Sequence, residues 1–281
     1  MVRWKSIWHD LALVWITIVD TFFPEFMTIE VKVATINLHN RADRWPERRH
    51  LLVSQLIEVV PDMIALQEIS VPIRQGQWLC KQINYRLSGS DKIPYTLVQK
   101  RFQHLLHGAL QAVGVISRLP VLYHDGINLG YGGRVALRVH VELPSHQTMD
   151  FVSTQLHDVA FEKEARGEQA MKLVGWLNSH KHVPIQVMAG DFNETPGGLA
   201  VNYIKQSFRS AYEVWYGREP FATYPTVLAA TDAPAACLDY IFFTAAVHKV
   251  THAGLFGNVA AREDDTLYPS DHVGLVATLE V

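Results

Sequence analysis

The sequence predicts a fold that combines helices and strands around mixed β-sheets. Short apolar runs of strand length recur along the chain, some separated by helical stretches and others only by turns. Strands that follow one another directly pair antiparallel, whereas strands joined through a helix can run parallel, so both arrangements together indicate mixed sheets. The 281 residues, 48% of them hydrophobic, include no Pro/Gly/Ser-rich linker. One domain over residues 27–281 with a sizeable core is therefore expected.

Residues 29–39 alternate between apolar and polar positions, so a strand there carries Asn37 and His39 on the same face as its valines. The run 62–68 predicts a short strand that ends at Glu68. The remaining elements of this half are helices over 46–60 and about 76–84, and strands at 95–99, 111–117, 134–142 and 149–156.

The second half begins with a long helix over about 161–180, where Ala170, Leu173, Val174 and Leu177 form one apolar stripe. The run 185–190 predicts a strand, and Asp191 follows directly after it. Further strands are expected near 237–243, 247–254 and 273–280.

The first 26 residues do not fit this scheme. The apolar run 11–23 is too short to span a bilayer and contains Asp20. We interpret residues 1–26 as a leader or a mis-assigned start, with a signal or anchoring segment and a packed helix as the alternatives. A cytoplasmic location is favoured, and residues 11–23 keep a secreted or membrane-associated one open.

Composition argues against a protein coated for nucleic-acid binding, because 25 basic and 28 acidic residues give a net charge of −3. Residues 41–50 are the one basic segment, and a solvated loop and helix start explains them better than a DNA-binding groove. The arginines concerned are Arg41, Arg44, Arg48 and Arg49. Cys80 and Cys237 lack metal-ligand spacing, so neither a disulfide framework nor a zinc-thiolate site is predicted.

Polar side chains stand repeatedly at or beside the ends of the predicted strands. Each alone has an ordinary explanation, such as a turn asparagine or a core histidine. Together they indicate a site, because charged groups beside buried strands are costly unless they are paired or bind a metal. The residues are Asn37, Glu68, His157, Asp191, Asn193, Asp239, Asp271 and His272.

The segments "ATINLH", "LQE", "ISRLPV", "GDFN", "DYIFF" and "SDH", in this order, resemble the endonuclease/exonuclease/phosphatase superfamily of metal-dependent hydrolases. The resemblance covers about residues 29–281 and is nearest to bacterial members of unassigned substrate. It implies a four-layer α/β/β/α sandwich of two mixed sheets flanked by helices, with the site at the sheet edges. It also implies a hydrolase that acts on phosphoesters.

The resemblance assigns roles to individual residues. Glu68, Asn37 and Asp271 become oxygen ligands of Mg²⁺ or Mn²⁺. Asp191 becomes the carboxylate that orients or deprotonates the attacking water, and Asn193 bonds the phosphate. His272 becomes the partner of the phosphoryl group, with Asp239 holding its other ring nitrogen.

Four residues keep alternative roles. Many relatives carry a phosphate-binding histidine where this chain has Gln155, so Gln155 occupies that place and binds substrate, or His157, two residues later on the same strand face, supplies the imidazole instead. His157 is the favoured alternative. His39 stands where some relatives have an acid, which makes a second metal doubtful and leaves substrate binding as its role. Arg118 either binds substrate or forms a structural ion pair.

The sequence thus predicts a divalent-metal-dependent phosphoesterase that hydrolyses a phosphodiester, or a monoester, by in-line attack of an activated water. The alternative is a catalytically decayed binding module of the same fold. The expected substrate is a nucleic acid or a small phosphodiester. The sequence gives no strong evidence for membrane contact, and a monomer is expected.

Overall fold

The computed structural model describes residues 28–40, 44–89, 93–103, 110–229 and 231–281. The predictions for the leader 1–26, its apolar run 11–23 and Arg41 concern residues outside these ranges. Among the helices in the described ranges, none has the length and apolarity needed to cross a membrane.

Twelve strands and five α-helices account for the regular structure of these residues. The strands are β1 (Glu30–Asn37), β2 (Met63–Ser70), β3 (Thr96–Arg101), β4 (Gln111–Ser117), β5 (Val121–Asn128), β6 (Val135–Glu142), β7 (Thr148–Gln155), β8 (Ile185–Asp191), β9 (Arg209–Ser210), β10 (Asp239–Phe243), β11 (Lys249–Phe256) and β12 (Gly274–Glu280). The helices are α1 (Trp45–Val59), α2 (Gln75–Arg86), α3 (Lys163–Asn178), α4 (Leu199–Ile204) and α5 (Ala211–Tyr216), with 3-10 turns at Tyr131–Gly133 and Val227–Ala229.

The strands form two six-stranded mixed sheets. The first has the order β11-β12-β1-β2-β4-β3, and the second β5-β6-β7-β8-β10-β9. In each sheet one central pair is parallel, β1 with β2 and β7 with β8, and the neighbouring pairs are antiparallel. With helices on both outer faces, this arrangement confirms the predicted four-layer sandwich.

Three apolar layers hold the sandwich together. Alternate residues of the central strands, among them Val33, Val139 and Val187, meet between the sheets. The outer face of the first sheet packs against α1 and α2 through Leu52 and Leu79. The second sheet is covered in the same way by α3 and α4. Strands buried on both faces carry apolar residues almost continuously, which is why the sequence shows apolar runs as well as alternation.

The predicted strands and long helices are found with boundaries shifted by at most two residues, but β5 and β9 were missed. β5 is an edge strand with exposed residues such as Leu122, Tyr123 and His124, so it lacks the buried pattern of the others. β9 has only two residues and shows no periodicity. The structure also changes the expectation for β1, which ends at Asn37, before His39.

Candidate active site

Side chains from both sheets meet in a cavity of about 560 Å³. The strand register brings the first of them together. Asp191 at the end of β8 stands directly beside Gln155 of β7 on one side and Asp239 of β10 on the other. In the first sheet Asn37 pairs with Gln67, which precedes Glu68. The cavity is lined by His39, Asn40, Glu68, Asp158, Ala160, Asp191, Asn193, Tyr224, Ala229, Thr231, Leu238, Asp271 and His272.

Glu68 reaches the cavity from a bulge and not from the end of its strand. The pairing of β2 with β4 shifts between Leu66 and Ile69, and Glu68 has a left-handed backbone with φ of 51°. A bulge of this kind re-aims a side chain out of the regular alternation. The carboxylate accepts hydrogen bonds from Asn40 Nδ2 at 2.5 Å and from Gln155 Nε2 at 2.9 Å.

Asp191 is buried and surrounded by amide donors. Its Oδ2 accepts from Asn37 Nδ2 at 3.1 Å, Gln155 Nε2 at 3.0 Å and Asn193 Nδ2 at 3.2 Å, while its Oδ1 accepts from the Asn193 backbone N–H at 2.9 Å. Burial raises the pKa of Asp191 to about 7, although attraction to His272 opposes that rise. A carboxyl group in this range can accept a proton near neutral pH.

His272 and Asp239 form a buried pair, with His272 Nδ1 at 2.8 Å from Asp239 Oδ2. The ring of Tyr224 lies against the imidazole at a centroid distance of 4.8 Å. Burial disfavours the charged imidazole, but the attraction of Asp239, together with Asp191 and Asp271, outweighs it and raises the pKa of His272 to about 10. The ring is thus a cation at neutral pH, and its Nε2 is the nitrogen left for a ligand in the cavity.

His39 and Asp271 form a second pair, 2.8 Å apart between Nδ1 and Oδ2. The backbone of His39 is left-handed, with φ of 53°, and its N–H donates to Asn37 Oδ1 at 2.9 Å. Burial raises the pKa of Asp271, but the hydrogen bond from His39 and the attraction of His272 lower it by more than burial raises it. The pKa of Asp271 therefore lies below its ordinary value. Asp271 is therefore a carboxylate at neutral pH.

The loops that carry these pairs are tied to one another. Ser270 Oγ donates to the Asn37 carbonyl at 2.6 Å, and the Thr226 N–H donates to the Asp271 carbonyl at 2.7 Å. Arg48 of α1 is fully buried and donates to the carbonyls of Leu38, His39 and Pro269. The guanidinium thus anchors the loop that follows β1 and the loop that precedes β12.

The endonuclease/exonuclease/phosphatase family model matches residues 34–272, which contain every one of these side chains. The chain belongs to this family. Members of the family are metal-dependent phosphoesterases. The comparison with curated proteins returns no match.

Solved structures agree with the family assignment at the level of the fold. TDP2 of D. rerio, complexed with a single-strand DNA product, superposes with a TM-score of 0.72 at 19% identity, over 90% of this chain and 99% of that one. The human Nocturnin catalytic domain with bound sulfate gives 0.70 at 19%, over 92% and 99%. A family member from Bacteroides vulgatus gives 0.70 at 19%, over 90% and 99%.

The structure corrects the expectation for His157. β7 ends at Gln155, so the alternation of the strand no longer applies two residues later. Gln155 itself reaches into the site and bonds both Glu68 and Asp191. His157 turns away, with its Nε2 at 2.6 Å from Glu162 Oε2. Of the two residues considered for this place, Gln155 is the one whose side chain contacts the carboxylates of the site.

Arg118 lies outside the site. It follows β4, whose last residue pairs with the first residue of β2, so it stands at the opposite end of β2 from Glu68. Its Nε donates to Asp62 Oδ1 at 2.6 Å, and its backbone N–H donates to the Asp62 carbonyl. Of its two predicted roles, the structural ion pair is the one found.

The basic segment is engaged in structure wherever it is described. Arg48 is fully buried as an anchor, Arg44 pairs with Asp264, and Arg49 stacks on the ring of Trp78. A solvated loop was the favoured interpretation, and the burial of Arg48 was not foreseen. No signal in the sequence distinguishes a buried arginine that caps carbonyls from an exposed one.

Several residues of the site were missed. Asn40 follows His39 and bonds Glu68, and the ring of Tyr224 lies against His272. Arg134 precedes β6 and donates through Nη1 to Gln155 Oε1 at 2.7 Å. The position of Asn40 beside "NLH" is the one available clue, because it extends a polar run past a strand end.

The donors at the cavity suit a hard divalent cation. Glu68, Asp158, Asp191 and Asp271 line it, and among the described lining residues there is neither lysine nor arginine. The hydrogen bonds that Glu68 accepts come from neutral amides, which leave its charge uncompensated. Oxygen ligands of this kind are those that Mg²⁺ and Mn²⁺ prefer.

A second group of ligand atoms lies within 4.8 Å of one another, from Asp191, Asp239 and His272. Asp239 Oδ1 is also buried without a hydrogen-bond partner in the described part of the chain. In this group, however, His272 Nδ1 and Asp239 Oδ2 already bond each other at 2.8 Å. The side of the cavity around Glu68 therefore fits a metal better.

Proposed function

We propose that the chain is a divalent-metal-dependent phosphoesterase that hydrolyses a phosphodiester. One observation carries the proposal: a cavity lined by four carboxylates and no described lysine or arginine also presents an imidazolium, His272, backed by Asp239. An anionic phosphate can enter such a cavity only together with a cation that offsets the carboxylates.

In this proposal Glu68 and Asn37 hold Mg²⁺ or Mn²⁺, with Asp271 as a further oxygen ligand. When bound, the ion polarises the phosphoryl group and neutralises charge that develops on its oxygens. The hydrogen bonds from the side-chain amides of Asn40 and Gln155 orient the Glu68 carboxylate without neutralising its charge.

Asp191 orients the attacking water and accepts its proton. The supporting observation is its set of amide partners, which fix the carboxylate while leaving its basicity in a useful range. Asn193 lines the cavity, and its Nδ2 donates to Asp191 Oδ2 and to the Leu156 carbonyl. We propose that it bonds the phosphate by exchanging one of these two acceptors for a phosphate oxygen, because both of its amide hydrogens are otherwise engaged.

The Nε2–H of His272 donates a hydrogen bond to a phosphoryl oxygen, since Nδ1 is bonded to Asp239. A cationic donor that is already in place stabilises negative charge in the transition state without a rearrangement of the site. The Tyr224 ring restricts the tilt of the imidazole.

Charge favours diesters over monoesters. A diester carries one negative charge at neutral pH, whereas a monoester carries close to two because its second pKa lies near 6. The carboxylates of the cavity therefore exclude the monoester more strongly. DNA is the product named for D. rerio TDP2, but in this chain Arg44 and Arg48 are engaged elsewhere and give a nucleic acid no special support.

The test is a substrate panel: an aryl phosphodiester, an aryl phosphomonoester, plasmid DNA and single-stranded DNA, each with Mg²⁺, Mn²⁺ or chelator. The expected result is chelator-sensitive turnover with the highest kcat/KM on a diester, lost by about 10²-fold or more in His272→Ala. Absence of turnover on all four substrates, from folded wild-type protein that binds Mn²⁺, would count against the proposal.

A further inference from the structure

The strongest feature that the proposed function leaves unexplained is the buried chain of contacts behind Gln155. Gln155 is fully buried, and its single Nε2 group donates to Glu68 Oε1 at 2.9 Å and to Asp191 Oδ2 at 3.0 Å. A primary amide nitrogen carries two hydrogens, so one hydrogen serves each carboxylate. The amide thereby spans the proposed metal ligand and the proposed base.

The orientation of that amide depends on a residue outside the cavity lining. Arg134 Nη1 donates to Gln155 Oε1 at 2.7 Å. A guanidinium group has donors and no acceptor, so an amide that faces it must present its oxygen. The Nε2 group is then forced to face Glu68 and Asp191. Without this partner either end of the amide could turn toward the two carboxylates, and the oxygen end would repel them.

Arg134 is itself held in one place. It is buried, with its Cζ 4.9 Å from the centre of the Phe102 ring, and its Nη2 lies 2.9 Å from Asp158 Oδ2 at the cavity wall. The guanidinium plane is thus clamped between an aromatic ring, an amide and a carboxylate. Such a clamp gives Gln155 one orientation.

We propose that Arg134 is a positioning residue of this active site, which acts through Gln155 to hold Glu68 and Asp191 at a set separation. The proposal rests on the proposed function for its catalytic consequence. It also makes a statement about metal affinity that does not require turnover.

The test is a double-mutant cycle on the full chain with Arg134→Met, Gln155→Met and the double variant. Two quantities are measured: kcat and KM on the best substrate of the panel, and Mn²⁺ affinity by isothermal titration calorimetry. Loss of an outer contact of a metal ligand costs about 10- to 100-fold in affinity or activity. We expect Arg134→Met to lower kcat and Mn²⁺ affinity by about 10-fold, with KM changed less than kcat.

The coupling distinguishes positioning from a general loss of structure. If Arg134 acts through Gln155, the double variant is no worse than Gln155→Met alone. If the loss in the double variant equals the product of the two single losses, the proposal is overturned. An Arg134→Met variant with unchanged kcat and Mn²⁺ affinity also overturns it. Arg134→Lys keeps one donor and the charge, so its kcat and Mn²⁺ affinity are expected within about 3-fold of wild type. It replaces Arg134→Met in the test if the methionine variant does not fold.

Arg138→Met is the matched control. Arg138 lies four residues further along and is equally buried, but it pairs with Asp125 and Asp150, neither of which lines the cavity. It should lower the melting temperature and leave kcat and Mn²⁺ affinity unchanged. Coupling in Mn²⁺ affinity without any turnover would sustain the role of Arg134 and refute the proposed function, whereas a wild type with neither turnover nor Mn²⁺ binding overturns both.

Discussion

At the scale of single residues, the site is built from carboxylates held by side-chain amides. Asn37, Gln155 and Asn193 donate to Asp191, and Asn40 and Gln155 donate to Glu68. An amide fixes a carboxylate without adding positive charge, so the carboxylates remain available to a cation. Two carboxylates have an imidazole as partner instead, Asp271 with His39 and Asp239 with His272.

The pair of His272 and Asp239 supports a prediction about pH. Asp239 is the main group that raises the pKa of His272, to about 10. If the protonated ring is required, wild-type turnover is present below that pH and is lost as pH rises through it. Asp239→Asn keeps a polar partner but removes the charge, so the loss should begin at lower pH, closer to the ordinary histidine pKa of about 6.5. Rates are measured from pH 5 to 10.5.

Glu162→Gln is the control for this comparison, because Glu162 bonds His157, a histidine that does not line the cavity. The alkaline limb of its pH–rate profile should coincide with that of wild type. An Asp239→Asn limb that also coincides with wild type would contradict the role given to the His272–Asp239 pair.

Residue identity at this scale was predictable only in part. Asp191, Asp239 and His272 were predicted because short motifs mark them, and the strand register does bring Asp191 and Asp239 side by side. The contacts of Gln155 and Arg134 could not be predicted, because they depend on where β7 ends and on a hydrogen bond between residues 21 positions apart.

At the scale of elements, the geometry depends on departures from regular strands. Glu68 enters the cavity through the bulge in β2, and His39 and Asn193 do so through left-handed backbones with φ of 53° and 49°. Non-glycine residues adopt this region rarely and concentrate at sites where the surrounding structure enforces it. Sequence alternation predicts the strands but carries no signal for a bulge, so the expected strand end at Glu68 was misplaced.

The close approach of β7 to β8 explains why a glycine, Gly190, stands before Asp191. A Cβ atom there would lie 2.0 Å from the Thr154 carbonyl oxygen on the neighbouring strand, which is backbone and cannot move aside cheaply. We expect Gly190→Ala to lower the free energy of unfolding by more than about 3 kcal/mol, through displacement of β8 from β7. Urea denaturation followed by circular dichroism measures the change.

Gly175→Ala is the opposite case in the same fold. Gly175 lies in α3, and a Cβ there meets nothing within 4 Å. Helix propensity predicts stabilisation by up to about 1 kcal/mol. A Gly190→Ala variant as stable as Gly175→Ala would show that β7 and β8 tolerate separation, contrary to the close approach described above.

At the scale of the whole molecule, the site exists because two sheets meet. Asn37 of β1 and Asp191 of β8 are 154 residues apart in sequence and are hydrogen bonded across the interface between the sheets. Below them Gln67 donates to Ser153, and Ser153 donates to the Leu66 carbonyl, so polar bonds continue between β2 and β7. The four-layer fold was predictable from the family motifs, whereas composition and periodicity alone indicated only mixed sheets.

If the acidic cavity works by holding a cation at Glu68, the most direct test is Glu68→Gln assayed over a range of Mn²⁺ concentrations. We expect this variant to need at least about 10-fold more Mn²⁺ for half-maximal turnover and to lose kcat by about 10²-fold, while Glu162→Gln behaves as wild type. Turnover of Glu68→Gln within about 3-fold of wild type, at the same Mn²⁺ requirement, would contradict it.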